Sequence, residues 1–352
     1  MFTLKEIFKY QKDNDISDIH IISEEKLFAR NHQGDLLPFS EETLNIENMQ
    51  SFLNELCTEE EKEEFTNAGN LDKAKTIEGV GRFRINIFTE RRGIGMNFRI
   101  IPEELFDSGA LQIPPNISKY ALRRSGLILI SGPNNSGKTT LVNGLIDLIN
   151  KKKKCKIVTF EDPVEYIHVG NQALISQHEI TDSNKQKMQQ DLRSIFRQDA
   201  DVILIGEIRD ALMMNIALEM CETGYLVLAT IHGTDSVQTL ERISNLFPAD
   251  NRIRLYKQLS HQLKLILFQT LIPNKENKLV PCREIMIESD GIKNLIQKGD
   301  FNELYRQMET DSLNGNILFD QNLIKLYKEG LISQETIVEY CHNKSFILEI
   351  LK

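Results

Sequence analysis

A chain of 352 residues, 41% hydrophobic and 26% charged, reads as a soluble globular protein of two or three domains. It has no run of eighteen apolar residues to cross a membrane. A formal charge of −9 argues against a general nucleic-acid binder, which shows a basic excess. Five scattered cysteines, none in a C-x-x-C pair, indicate neither a disulfide framework nor a zinc site. The amphipathic start "MFTLKEIFKYQKD" lacks a secretory apolar region, which points to the cytoplasm or the cytoplasmic face of a membrane.

In chain order, residues 1–101 read as a small α/β domain. A helix over 4–12 leads to strands over 16–22 and 26–30, a long helix over 46–65, and two further strands. In "RFRINIF", Phe83, Ile85 and Ile87 alternate with Arg82, Arg84 and Asn86; in "GMNFRII", Met96, Phe98 and Ile100 alternate with Gly95, Asn97 and Arg99. The two form an antiparallel hairpin with one apolar face and one face of guanidinium groups. Such a face suits phosphate, which the planar arginine fork binds bidentately, but it also fits a plain amphipathic sheet with a wet side. Residues 102–115, "PEELFDSGALQIPP", are proline-marked and aperiodic, as in a linker.

From 116 to 287 strands and helices alternate, which predicts a parallel sheet covered on both faces. An apolar strand over 127–130 runs into "GPNNSGKT", Gly132 to Thr139, and a helix leaves it. This is G-x-x-x-x-G-K-[ST] without a mismatch and in the strand–loop–helix context the motif requires. Its backbone N–H groups, at a positive helix end, suit a polyanion. Lys138 is placed to reach the β- and γ-phosphates of ATP and the Thr139 hydroxyl to ligate Mg²⁺; Gly132, Ser136, Gly137 and Thr140 complete the candidate nucleotide-binding set. After a strand over 156–160, "EDPVE" packs Glu161, Asp162 and Glu165 into five positions. They would repel one another unless a cation or basic group shared them. "DVILIGE" is a buried strand ending at Glu207, where acid facing the ligand crevice can orient water or sit near the metal. "LVLATIHGTDS" ends another core strand at His232, and residues 288–352 read as successive short helices.

These residues together resemble a family, the secretion-superfamily motor ATPases, in the type IV pilus retraction (PilT/PilU-type) branch. "GPNNSGKTT" resembles its phosphate loop and "FEDPVEY" its acidic box. "DLRSIFRQDADVILIGEIRD" resembles its Walker B region, "TGYLVLATIHGTDS" its histidine box, and "GVGRFRINIFTERRGIGMNFRIIP" its arginine strands. The resemblance implies an N-terminal PAS-like domain, a RecA-like P-loop core and a helical C-terminal region, assembled as a homohexamer with ATP between domains and the neighbouring subunit. It implies water activation by Glu207, acidic-box roles for Glu161 and Glu165, and coupling of hydrolysis to movement by His232. Arg84, Arg92 and Arg99 receive nucleotide or interface contacts. An inner-membrane pilus platform protein is the implied partner on the cytoplasmic side, and no nucleic acid is implied. "GIKNLI", from Gly291, resembles the retraction branch's Ala-Ile-Arg-Asn-Leu-Ile signature. The chain departs from the family at Asn134-Asn135 (usually Thr-Gly), Gly233 (Thr), Glu90 (Gln) and Ala200 (Pro). The competing readings are an extension ATPase of pilus assembly or type II secretion, a non-hydrolysing nucleotide-binding regulator of such a ring, and a DNA-translocating motor.

Overall fold

The computed structural model describes residues 2–31, 34–101, 111, 113–180, 190 and 192–351. By compactness the chain divides into two units. The first comprises Met1–Leu105, Glu161–Ile167 and His178–Gln189; the second comprises Phe106–Phe160, His168–Gln177 and Gln190–Lys352.

The first unit is built on a six-stranded sheet in the order β3-β2-β1-β6-β5-β4. Its strands are β1 (Asp18–Ile22), β2 (Lys26–Arg30), β3 (Leu36–Thr43), β4 (Asn70–Ile77), β5 (Gly81–Glu90) and β6 (Gly93–Ile101). Helix α1 (Leu4–Asp13) starts at a capping box, in which Thr3 and Glu6 satisfy each other's backbone N–H. It buries Leu4, Ile7, Phe8 and Gln11, the i, i+3, i+4, i+7 face of an amphipathic helix. Phe8 packs on Phe83 and Phe98, with ring centroids 4.4 and 4.9 Å away. The apolar face expected of the hairpin is therefore the core face, with Phe83, Ile85, Ile87, Met96 and Phe98 fully buried.

The long helix expected over 46–65 is two helices, α2 (Ile46–Leu56) and α3 (Glu59–Ala68), and α4 (Pro115–Ala121) comes next in the chain. Cys57 is extended at φ −112°, and the Thr58 side chain accepts from Glu61 N–H while Glu61 bonds the Thr58 N–H. Each helix carries its own cap, so the continuous apolar period across the break misled. Strands β3 and β4 were not foreseen. The first is a mostly exposed edge carrying Pro38. In the second, Lys73 takes an inward position, its ammonium bonded to the Leu56 carbonyl at 3.0 Å and to Glu61 at 2.5 Å. The linker expected at 102–115 lies mostly outside the described residues.

In the second unit seven strands run in the order β13-β12-β7-β11-β10-β8-β9. They are β7 (Gly126–Ser131), β8 (Lys156–Glu161), β9 (Leu174–Glu179), β10 (Val202–Ile205), β11 (Leu226–Ile231), β12 (Leu263–Pro273) and β13 (Leu279–Ile287). Neighbours among β8, β10, β11, β7 and β12 pair in parallel. The strands β7, β10 and β11 are buried along their whole length, as central parallel strands covered on both faces are. The expected parallel sheet is present in the five parallel strands, and β13 adds an antiparallel strand beside β12. A separate apolar cluster joins Phe268, Ile272 and Cys282 of that hairpin to Phe319, Leu323, Ile337 and Ile347 of the C-terminal helices. No helix among the described residues is long and apolar enough to cross a membrane.

Candidate functional site

Because β7, β10 and β11 are parallel, their carboxyl ends open on one edge of the sheet, where ligands bind in open α/β folds. Gly132 to Gly137 leave β7 there, Glu207 follows β10, and His232 follows β11. The loop feeds helix α5 (Lys138–Lys152), with Gly137 as its cap residue at φ 78°. The close fit requires glycine. A Cβ on Gly132 would collide with the Gln269 carbonyl oxygen and lie 2.5 Å from Ser136 Oγ, and one on Gly137 would lie 2.9 Å from Gln269 Nε2. Asn135 adopts φ 59°. Asparagine is among the few non-glycine residues that enter this left-handed region readily, so the departure from the family's glycine preserves the backbone path.

Lys138 donates to the carbonyls of Gly132 (2.9 Å) and Pro133 (2.6 Å). Burial lowers its pKa, with the Glu207 carboxylate opposing. Glu207 is held from two sides, by His232 Nε2 at 2.7 Å and Arg209 Nε at 2.8 Å. Burial, reinforced by Lys138, lowers the pKa of His232; the neutral ring then donates its Nε2 proton to the carboxylate. Arg209 was missed by sequence reasoning, although its place two residues beyond Glu207 was a usable signal. Gly233 has a steric reason as well. A Cβ there would collide with Ser131 Oγ and Thr239 Oγ1, which bond each other at 2.6 Å.

Ser136 Oγ is buried and has no hydrogen-bond partner among the described residues, the condition of a hydroxyl placed for a ligand. Together with a lysine, the glycine-lined backbone cradle and the α5 N-terminus, it fits a nucleoside polyphosphate. Thr139 follows Lys138 in the first turn of α5.

The remaining expected residues belong to the first unit. On the polar face of the sheet, Arg84 and Arg99 are cross-strand partners, and Arg99 is also opposite Asp18. Arg84 bonds Asp72 at 2.9 Å and Glu165 at 3.2 Å, so the acidic box does share a basic group. Burial raises the Glu165 pKa against the pull of Arg84. Glu161 is also buried, and Arg82 donates to the Val164 and Glu165 carbonyls. Arg99 Nε meets Asp18 at 2.7 Å. Arg92 lies apart at the hairpin turn, where its side chain bonds Glu25 at 2.5 Å and its N–H bonds Glu90 at 2.6 Å. The GIKNLI segment forms the helix Asp290–Lys298, burying Ile292 and Ile296. Lys293 turns to Glu288 at 2.9 Å, a carboxylate shared with Lys264 and Arg123.

The family model of the type II/IV secretion system protein matches residues 106–317. The type IV pilus retraction ATPase PilT of Pseudomonas aeruginosa is 30% identical over 336 residues, which span 96% of this chain and 97% of that one. The type IV pilus ATPase PilU of the same species is 32% identical over 323 residues, 91% of this chain and 84% of its own. A crystal structure of the pilus retraction motor PilT with bound ADP matches with a TM-score of 0.87 at 30% identity, covering 99% of this chain and 100% of that one. That likeness identifies the second unit's sheet as the expected RecA-like core. With its phosphate loop, Glu207 and His232 on one sheet edge, the chain belongs to the type II/IV secretion system protein family, among the pilus retraction ATPases.

Proposed function

We propose that this chain is the ATP-hydrolysing subunit of a motor that retracts type IV pili, working as a ring at the cytoplasmic face of the membrane against a platform protein. The observation that carries the reading is the convergence of Lys138, Glu207 and His232 at the carboxyl ends of three parallel strands, with Glu207 clamped at 2.7 and 2.8 Å. Lys138 and the loop's N–H groups bind and orient the phosphates. Glu207 accepts a proton from the attacking water, and its bond to neutral His232 holds the acceptor oxygen in place. The Thr139 hydroxyl, with Glu207, would hold a Mg²⁺ accompanying the nucleotide, which would supply neutralisation of phosphate charge. Gly132, Ser136, Gly137 and Thr140 shape the cradle.

Arg84 and Arg99, backed by the acidic box of Glu161 and Glu165, are the groups by which the first unit completes a neighbouring subunit's site, and Arg92 braces the hairpin turn. Retraction, rather than extension, is favoured by the near full-length likeness to PilT and PilU and by the GIKNLI helix. The purified chain tests the chemistry. Lys138→Ala should abolish ATP binding. Glu207→Gln should bind ATP yet turn over roughly two to four orders of magnitude more slowly, and ordinary turnover in that variant would remove Glu207 from its role.

A further inference from the structure

The phosphate loop leans on two buried polar residues that lie outside every motif. Gln269 on β12 is 3% exposed and follows the apolar run "LILF", residues 265–268. Its Nε2 donates to the Ser136 carbonyl at 2.8 Å. Its backbone oxygen and side-chain nitrogen fill the places where Cβ atoms of Gly132 and Gly137 would stand. One residue therefore backs the loop at Gly132, at Ser136 and at Gly137. The other end of the amide accepts from Arg283 Nε at 2.8 Å, and the two are cross-strand partners in the β12–β13 register. Arg283 is 7% exposed, and a second arm of its guanidinium donates to the Leu111 carbonyl at 2.7 Å. Its backbone N–H donates to Asn322 on the C-terminal helix Phe319–Lys328 at 2.8 Å.

A buried guanidinium is costly, and an apolar pair of similar volume would pack such a strand pair as well or better. The polar pair does something an apolar pair cannot. A glutamine amide has nearly the same shape when flipped, so packing alone does not choose which end faces the loop. Arginine only donates. By claiming Oε1, Arg283 forces the NH₂ of Gln269 toward the loop, where it meets the Ser136 carbonyl. The peptide joining Ser136 to Gly137 is planar and trans, so its C=O and N–H point in opposite directions. Drawing the carbonyl back to Gln269 aims the Gly137 N–H at the opposite, phosphate-facing side.

We propose that Gln269 and Arg283 are positioning residues for the phosphate loop, with Arg283 setting the amide orientation by which Gln269 turns the Gly137 N–H toward the nucleotide. The inference rests on the nucleotide-binding reading above. The test uses the full chain and Mg²⁺–ATP, comparing wild type with Gln269→Glu and with the double variant Gln269→Leu/Arg283→Met. In Gln269→Glu the carboxylate still satisfies Arg283 but has no donor for Ser136. In the double variant both buried polar groups are gone, so the fold is not burdened by an unpaired charge. Both should remain folded at the assay temperature, checked by circular dichroism and a cooperative unfolding transition. Both should bind ATP about five- to tenfold more weakly, the loss of roughly one hydrogen bond's worth of alignment, with KM raised and kcat less affected. Wild-type affinity in the double variant would overturn the proposal, as would an affinity loss that merely follows loss of fold. Failure of the folded wild type itself to bind ATP would sink the functional reading, and this inference with it.

Discussion

His168 offers a quantitative test of how the helix behind the phosphate loop is secured. The ring is 9% exposed, and its Nε2 lies 2.7 Å from Asn143 Oδ1. Asn143 in turn donates from Nδ2 to the Thr139 carbonyl at 2.9 Å, in the first turn of α5. The amide oxygen only accepts, so Nε2 carries the proton and the neutral ring suffices. Burial pulls the imidazole from 6.5 down to about 4, with Asp147 opposing. As pH falls, the unfolded chain takes up a proton near 6.5 while the folded chain does not until about 4. The ring's contribution is therefore complete above 6.5 and is lost progressively below it. Integrating the linkage gives a loss of about 2 kcal/mol at pH 5 and about 3 kcal/mol below pH 4. His168→Gln can still donate to Asn143 and does not titrate. Urea unfolding of both proteins at pH 7 and pH 5 should show wild type losing about 2 kcal/mol more than the variant over that interval. Equal losses would refute the argument.

Arg84→Ala and Arg99→Ala should lower ATPase activity severalfold at high protein concentration, while circular dichroism and the unfolding midpoint show the subunit still folded. Specific activity independent of protein concentration, from a strictly monomeric species, would count against the ring in which those arginines are proposed to act. Thr58→Ala removes the cap that divides the two helices and should cost about 1 kcal/mol, read as a lower denaturation midpoint with ATP affinity unchanged.

What could be read in the sequence was local. The phosphate loop, its strand and its helix are consecutive residues, and hairpin alternation and terminal apolar strands report themselves within ten positions. The break at Cys57 was also readable, since Thr58 and Glu61 form a capping box, but the apolar period across it dominated. The supports of the site were hidden because their partners are remote in sequence. Gln269 bonds a residue 133 positions away, and the Arg84–Glu165 pair spans 81 positions. Glu284 is equally illegible. It lies between Arg283 and the apolar end of β13, and its carboxylate accepts from the N–H of Ser236 at 2.8 Å and of Phe319 at 3.2 Å. It thereby caps two helix starts that are far apart in the chain. The pairing of Lys293 in the GIKNLI helix with Glu288 was likewise not legible in the sequence.

The central claim is that ATP hydrolysis at Glu207 drives pilus retraction. Its most direct test replaces the native gene with the Glu207→Gln allele and counts surface pili by electron microscopy alongside twitching on agar. The account predicts cells that remain piliated, often heavily, and do not move. Bald cells from a stably expressed variant would contradict it and indicate an extension motor.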